Sequence, residues 1–266
     1  MAAFEKVKSG IAGMDRILDY IRLGDNVVWQ VSNLEEFRFF VMPYVTQALQ
    51  DRRNMIYIRF AQHPPILPEM EGVKVYEFDP DSGFEQFTVA IHDVITKEGY
   101  DAFYVFDSLS ELQSAWYTDL MMGNFFCVTC PYLFTLDTVA FFPLMRGKHS
   151  FDAVARIRDT TQLLLDVYSE GENLYVHPMK VWNRYSTTMF LPHSYDVESG
   201  EFYPLMDGVE MSRYYNIQRK CARFTQDQSY DSHDRFMARA KMDYQNGTFT
   251  NETEDMIIES TMTRDP

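Results

Sequence analysis

Positive charge is scarce in this 266-residue chain: 24 lysines and arginines stand against 39 aspartates and glutamates, a net charge of -15. Such an excess of acid repels DNA and RNA and opposes binding to anionic membranes, so neither a nucleic-acid nor a membrane partner is expected. Long apolar runs are also missing; none approaches the roughly 18 uncharged residues of a membrane span. The opening Met1-Ala2-Ala3-Phe4-Glu5-Lys6 lacks the apolar region of a secretion signal, and the expected location is the cytoplasm. Cysteine is rare, with three in the chain, which fits a reducing compartment. Cys127 and Cys130 have C-x-x-C spacing, but they lie in an apolar stretch with no further ligands near in sequence, so packing is their expected role. The histidines show neither H-x-x-x-H nor H-E-x-x-H spacing, and no metal cage can be named from them. No G-x-S-x-G elbow surrounds Ser108 or Ser110, which argues against a hydrolase nucleophile.

What is present is a large apolar content, 46% hydrophobic and 15% aromatic, enough to bury one big core. Short apolar runs alternate with longer amphipathic ones, the pattern of an α/β fold with a mainly parallel sheet and helical crossovers. Strands are predicted over Asn26 to Val31, Asn54 to Phe60, Val73 to Phe78, Ala102 to Phe106 and Thr138 to Pro143. Helices are predicted over Glu35 to Gln50, with a kink at Pro43, over Gly83 to Lys97, and over Ser110 to Met122. From Gln162 the pattern becomes antiparallel, with strands predicted at Gln162 to Tyr168, Asn173 to Trp182 and Thr187 to Pro192 and a short edge strand within Gly200 to Asp207. Beyond residue 208 the apolar density falls. The expected organisation is one domain over 1–208 and a helical C-terminal extension over 209–266.

The most telling absence is glycine in the turn between the first predicted strand and helix, Ser32-Asn33-Leu34-Glu35-Glu36-Phe37-Arg38-Phe39. A phosphate-binding chain would carry G-x-x-x-x-G-K-[ST] here, its bare amides cradling a triphosphate at the helix start. Ser32 and Glu35 instead have the S-x-x-E spacing of a capping box, in which side chains of the chain itself satisfy the free amides. The helix is expected to bring its own anion.

Four features follow one another in order: Ser9-Gly10-Ile11-Ala12-Gly13-Met14-Asp15-Arg16-Ile17-Leu18; then Leu23-Gly24-Asp25; then the strand, turn and helix; then Asp101-Ala102-Phe103-Tyr104-Val105-Phe106-Asp107-Ser108. This order resembles the KaiC and RadA branch of the RecA-like ATPases, P-loop NTPase-type proteins, over roughly residues 7 to 195. The resemblance implies that Asp107 ends a Walker B strand and would hold magnesium if Mg-ATP bound. The residues themselves offer another role, since Ser108 and Glu111 have capping-box spacing. The departures from the family fall on its chemistry. Laid on the phosphate loop, Ser32 opens the turn, Arg38 takes the lysine and Phe39 the magnesium-binding hydroxyl. Glu35 and Glu36 stand where phosphates would enter and would oppose them, unless Arg38 pairs with one of them. Ala61 and Gln62 replace the glutamate that activates water, and neither is a general base.

Lys180 and Arg184 fall where relatives carry a K-x-R-G segment that reaches a neighbouring subunit's nucleotide; the residues alone suggest a solvated charge pair. Arg59, Gln62 and His63 follow the second strand on the edge where open α/β folds bind ligands, and they are pocket candidates. Arg59 to Pro65 and Met189 to His193 also resemble KaiC-like regions that precede phosphoenolpyruvate synthase or pyruvate phosphate dikinase domains. The expectation is a pseudo-ATPase with a degenerate Walker A, acting as a regulatory or assembly module, with no cofactor. Self-association or a protein partner, fused or separate, is expected. The alternatives are an ATPase that binds Mg-ATP through Arg38, Lys180 and Arg184, and a sensor of a small metabolite.

Overall fold

A computed structural model describes residues 5–116, 118–171 and 173–221. The chain divides into two units, Met1–Tyr214 and Tyr215–Pro266, and the first carries everything that follows. The expected extension over 209–266 lies largely outside the described residues.

Eleven strands form among the described residues. Two short ones, β1 (Lys6–Val7) and β2 (Ile21–Arg22), pair with each other and flank helix α1 (Ala12–Leu18). The main sheet holds β3 (Asn26–Val31), β4 (Met55–Arg59), β5 (Val73–Glu77), β6 (Phe103–Phe106), β7 (Val139–Met145), β8 (Leu163–Glu170), β9 (Asn173–Val181), β10 (His193–Asp196) and β11 (Glu201–Pro204). Their order is β11-β10-β9-β8-β3-β7-β6-β4-β5. From β8 to β5 every neighbour is parallel, and from β8 to β11 every neighbour is antiparallel. The central strands read as nearly continuous apolar runs because helices cover both of their faces.

The helices are α2 (Leu34–Gln50), α3 (Phe84–Glu98), α4 (Leu109–Trp116), α5 (Asp119–Thr135) and α6 (Phe151–Thr160). Two apolar layers sandwich the sheet, one against α1 and α2 and one against the remaining helices. On the first side Trp29 stacks on Phe40 at 4.2 Å and Tyr44 on Phe141 at 3.9 Å, locking α2 to the middle of the sheet. The Tyr44 hydroxyl donates to the Val139 carbonyl at 2.9 Å, so this deep polar tip has a partner. The glycines of the opening segment have a steric reason. Gly10 has φ +85° and a Cβ there would lie 2.2 Å from the Pro43 carbonyl oxygen, while one on Gly13 would meet Gly200 at 2.7 Å.

The five predicted parallel strands and the first two helices form, with ends shifted by at most a few residues, and α2 runs unbroken through Pro43. Two expectations need correction, and one helix was not expected. The helix predicted over Ser110 to Met122 is two helices, because Thr118 turns to an extended backbone and its side chain accepts from the Leu120 N–H to start α5. The strand predicted over Thr187 to Pro192 is a turn segment whose Met189 plugs the core; the strand begins after it, at His193, paired with Val176. The polar helix α6 was not predicted at all. No described helix is long and apolar enough to cross a membrane.

Candidate functional site

All the parallel strands point their carboxyl ends to one edge of the sheet, the edge where open α/β sheets bind ligands. That edge gathers the turn after β3, the Arg59–His63 segment after β4, Asp107 after β6 and Arg146 after β7.

The turn is closed by the chain's own carboxylate, one residue later than the sequence spacing suggests. Asn33, not Ser32, is the capping residue of α2: its backbone is extended and its side chain accepts from the Glu36 N–H at 3.0 Å. Glu36 supplies the anion, accepting the Ser32 N–H at 2.7 Å and the Ser169 hydroxyl at 2.5 Å. It is 3% exposed. Glu35 points outward and pairs with Arg38 at 3.1 Å, with three-quarters of its side chain in solvent. Ser32 is held from the other side, since Arg146 donates to its hydroxyl at 3.0 Å. Arg146 also pairs with Asp166 and lies over the Tyr168 ring at 3.8 Å. The helix start that would face a phosphate therefore carries a buried glutamate inside a closed hydrogen-bonded network.

Asp107 is equally closed. It is fully buried. The Tyr57 hydroxyl donates to one carboxylate oxygen, and the N–H groups of Phe60 and Ala61 donate to the other, both at 2.9 Å. The same Tyr57 hydroxyl accepts the Ile66 N–H at 3.0 Å. Burial and the neighbouring Asp107 charge push the Tyr57 phenol well up, so it stays a donor. Asp107 thus fastens the segment from Phe60 to Ile66 onto the sheet. The capping box expected next to it does not form: the Ser108 hydroxyl makes no hydrogen bond, and Glu111 meets the Ser108 carbonyl through its N–H.

The remaining cations do not converge on the turn. Arg38 donates to the carbonyls of Pro65 and Ile66 and pairs with Glu35. Lys180 pairs in register with Leu164, which lies opposite Val28 near the start of the parallel strands. Its ammonium caps the carboxyl end of α6, donating to Arg158 at 2.6 Å and Asp159 at 2.9 Å, and burial lowers its pKa. Arg184 is not solvated. Its side chain, 1% exposed, pairs with the 3% exposed Asp25 at 2.7 Å at the amino edge of the sheet. Burial raises the Asp25 carboxyl in spite of that arginine.

Two cavities flank the strand end at Arg59. One, of about 500 Å³, is lined by Gln62 and by the carboxylates Glu77, Asp79, Asp81 and Glu111. The other, of about 700 Å³, lies over Met42, Tyr57 and Leu67. Arg59 borders both. It donates to the His63 carbonyl at 3.0 Å and lies 3.7 Å from Glu77. His63 Nε2 stands 4.0 Å from Asp107 and makes no hydrogen bond.

Sequence reasoning missed one linked set. Ser110 Oγ lies 2.6 Å from His149 Nε2, and His149 Nδ1 lies 2.8 Å from Asp119. The order and spacing are those of a serine hydrolase relay. Its surroundings are not. Ser110 is 2% exposed, its Oγ already accepts the Met145 N–H at 2.9 Å, and neither cavity above is lined by it. Asp119 also accepts the Ser150 N–H at 2.7 Å, so the set ties together the starts of α4, α5 and α6. Burial holds His149 below the usual imidazole range, against the pull of Asp119. No G-x-S-x-G motif marks the serine, and the three residues are too far apart in sequence to signal one another.

Cys130 is buried within α5, and burial pushes its thiol well up, so the C-x-x-C pair serves packing. Among the described residues no group of three histidine, cysteine, aspartate or glutamate side chains could hold a metal ion. No protein-family model matches this chain, and no curated protein gives a significant match.

Proposed function

We propose that the chain is a RecA-like, KaiC-related domain that does not hydrolyse ATP and does not hold Mg-ATP at the usual place. Its role is that of a regulatory or assembly module, through self-association or in partnership with a phosphoenolpyruvate or pyruvate phosphotransferase. One observation carries the reading: the buried Glu36 carboxylate occupies the start of α2, where a bound triphosphate would have to lie. A second negative group within a few Å would be repelled strongly in so dry a position. The engagement of Asp107 with Tyr57, Phe60 and Ala61 supports the same conclusion, because magnesium coordination would have to break those hydrogen bonds. The competing ATPase reading needs Arg38, Lys180 and Arg184 at one triphosphate, and each has another partner in the fold. Calorimetric titration with Mg-ATP, run beside a phosphate-release assay, tests the proposal. The expected result is neither micromolar binding nor turnover; binding together with steady phosphate release overturns it.

A further inference from the structure

The segment between β7 and α6, Gly147-Lys148-His149-Ser150-Phe151, contains no acid, in a chain whose net charge is -15. Lys148 is exposed and forms no ion pair among the described residues, whereas Arg38, Arg59 and Arg146 at the same edge of the sheet each face a carboxylate. Phe151 opens α6 with 79% of its surface in solvent, more than any other large apolar side chain among the described residues. The segment is nevertheless held in place. His149 and the Ser150 N–H are tied to Asp119, and His149 also to Ser110. Leu120, next to Asp119, is itself 52% exposed. A fixed protrusion thus presents a free ammonium and two apolar side chains to solvent.

The cavity of about 500 Å³ at the same edge has the opposite character. Glu77, Asp79, Asp81 and Glu111 line it around apolar surface from Phe60 and Phe78. Arg59, the one cation in the lining, is engaged by Tyr57, the His63 carbonyl and Glu77. Asp79, Asp81 and Glu111 form no ion pair among the described residues. A metal ion does not answer their charge, since no group of three such side chains among the described residues could hold one. A cationic protein surface needs no such convergence. Glu111 directly follows Ser110, whose hydroxyl meets His149, so the protrusion and the cavity are neighbours joined at the start of α4. Within one chain they do not satisfy each other.

We propose that the chain self-associates through this surface as a two-fold dimer, with Lys148 and Phe151 of each copy entering the acidic cavity of the other. A two-fold contact requires one patch that carries both halves of a complementary pair, because residue i of one copy meets residue j of the other and the reverse. Opposite charges set the register of such a contact, and an exposed aromatic beside them supplies apolar area to bury. The net charge of -15 opposes the approach of two copies. At physiological salt that repulsion is screened beyond about 8 Å, while charges brought into contact still attract. The proposal gives the self-association of the functional reading a surface, and it holds whether or not Mg-ATP binds.

Sedimentation velocity of the full chain up to about 100 μM, in about 0.15 M salt, tests this. A dimer is expected, and Lys148→Glu or Phe151→Ser should each weaken it about tenfold or more. A chain carrying both Asp81→Lys and Glu111→Lys should be weakened likewise. Mixing that chain with the Lys148→Glu chain should restore a dimer, because each protrusion then meets a cavity of opposite charge. Restoration on mixing cannot come from misfolding of either variant. A parent chain that stays monomeric throughout the range overturns the proposal and leaves the Mg-ATP titration untouched. So does an assembly of any size that survives both Lys148→Glu and Phe151→Ser, or a mixture of the two reversed chains that stays monomeric.

Discussion

The Glu36 carboxylate accepts the Ser32 backbone N–H at 2.7 Å, so the turn after β3 is closed by a side chain four residues further along. The neighbouring Glu35, although it has capping-box spacing from Ser32, is exposed and bonds only to Arg38 among these groups. The two glutamates should therefore behave differently. Glu36→Ala leaves the Ser32 N–H and the Ser169 hydroxyl without their acceptor and should destabilise the domain by about 1–3 kcal/mol. Glu35→Ala removes a surface pair and should change stability by about 0.5 kcal/mol or less. Urea denaturation of both variants checks this; equal losses would return the cap to Glu35.

Asp107 answers a similar question about magnesium. Asp107→Asn keeps the shape but offers one acceptor oxygen where Tyr57, Phe60 and Ala61 require two, and should cost about 2–3 kcal/mol. Tyr57→Phe should cost about 1–2 kcal/mol, and the double variant less than the sum, since both act on one network. Thermal melts should show no stabilisation by Mg-ATP in the parent chain. A rise in Tm with Mg-ATP that Asp107→Asn abolishes would restore Asp107 as a metal residue.

The parallel core was legible because strand residues buried on both faces must be apolar, and Asn26 to Val31 could be nothing else. The start of α2 was legible only in kind. Ser32 and Glu35, or Asn33 and Glu36, satisfy the same spacing, and the choice is made by Ser169 and Arg146, which lie over a hundred residues away. The turn at Thr187 to Pro192 read as a strand because its Met189 is apolar for packing rather than for pairing.

The Ser110, His149 and Asp119 set makes a prediction about stability rather than catalysis. His149→Ala strands the Asp119 carboxylate and the Ser110 hydroxyl, both part of the join between three helix starts, and should cost about 2–4 kcal/mol. A fluorophosphonate probe, which reacts with activated serines, should leave the native chain unlabelled because Ser110 is enclosed. Labelling that disappears in Ser110→Ala would show a nucleophile instead.

His193 provides a pH test with a defined sign. It is fully buried among Met14, Leu165, Val176 and Phe202, and among the described residues the Leu191 backbone is the one hydrogen-bonding group set against its ring. Burial drives its pKa from 6.5 down to about 4. Between those values the unfolded chain takes up a proton that the folded chain refuses, so falling pH favours unfolding. The contribution is whole above pH 6.5, declines through the window and levels off below about 4, with a full span on the order of 3 kcal/mol. His193→Leu removes the poorly satisfied ring nitrogens and the titration together. It should raise stability at pH 7 by about 1 kcal/mol, and the gain over the parent chain should widen by about 2 kcal/mol at pH 5. Urea midpoints of the two chains at both pH values measure the difference. A gain that stays constant with pH would mean that His193 carries its proton in the folded state, and that the cavity around it holds a partner for the charge.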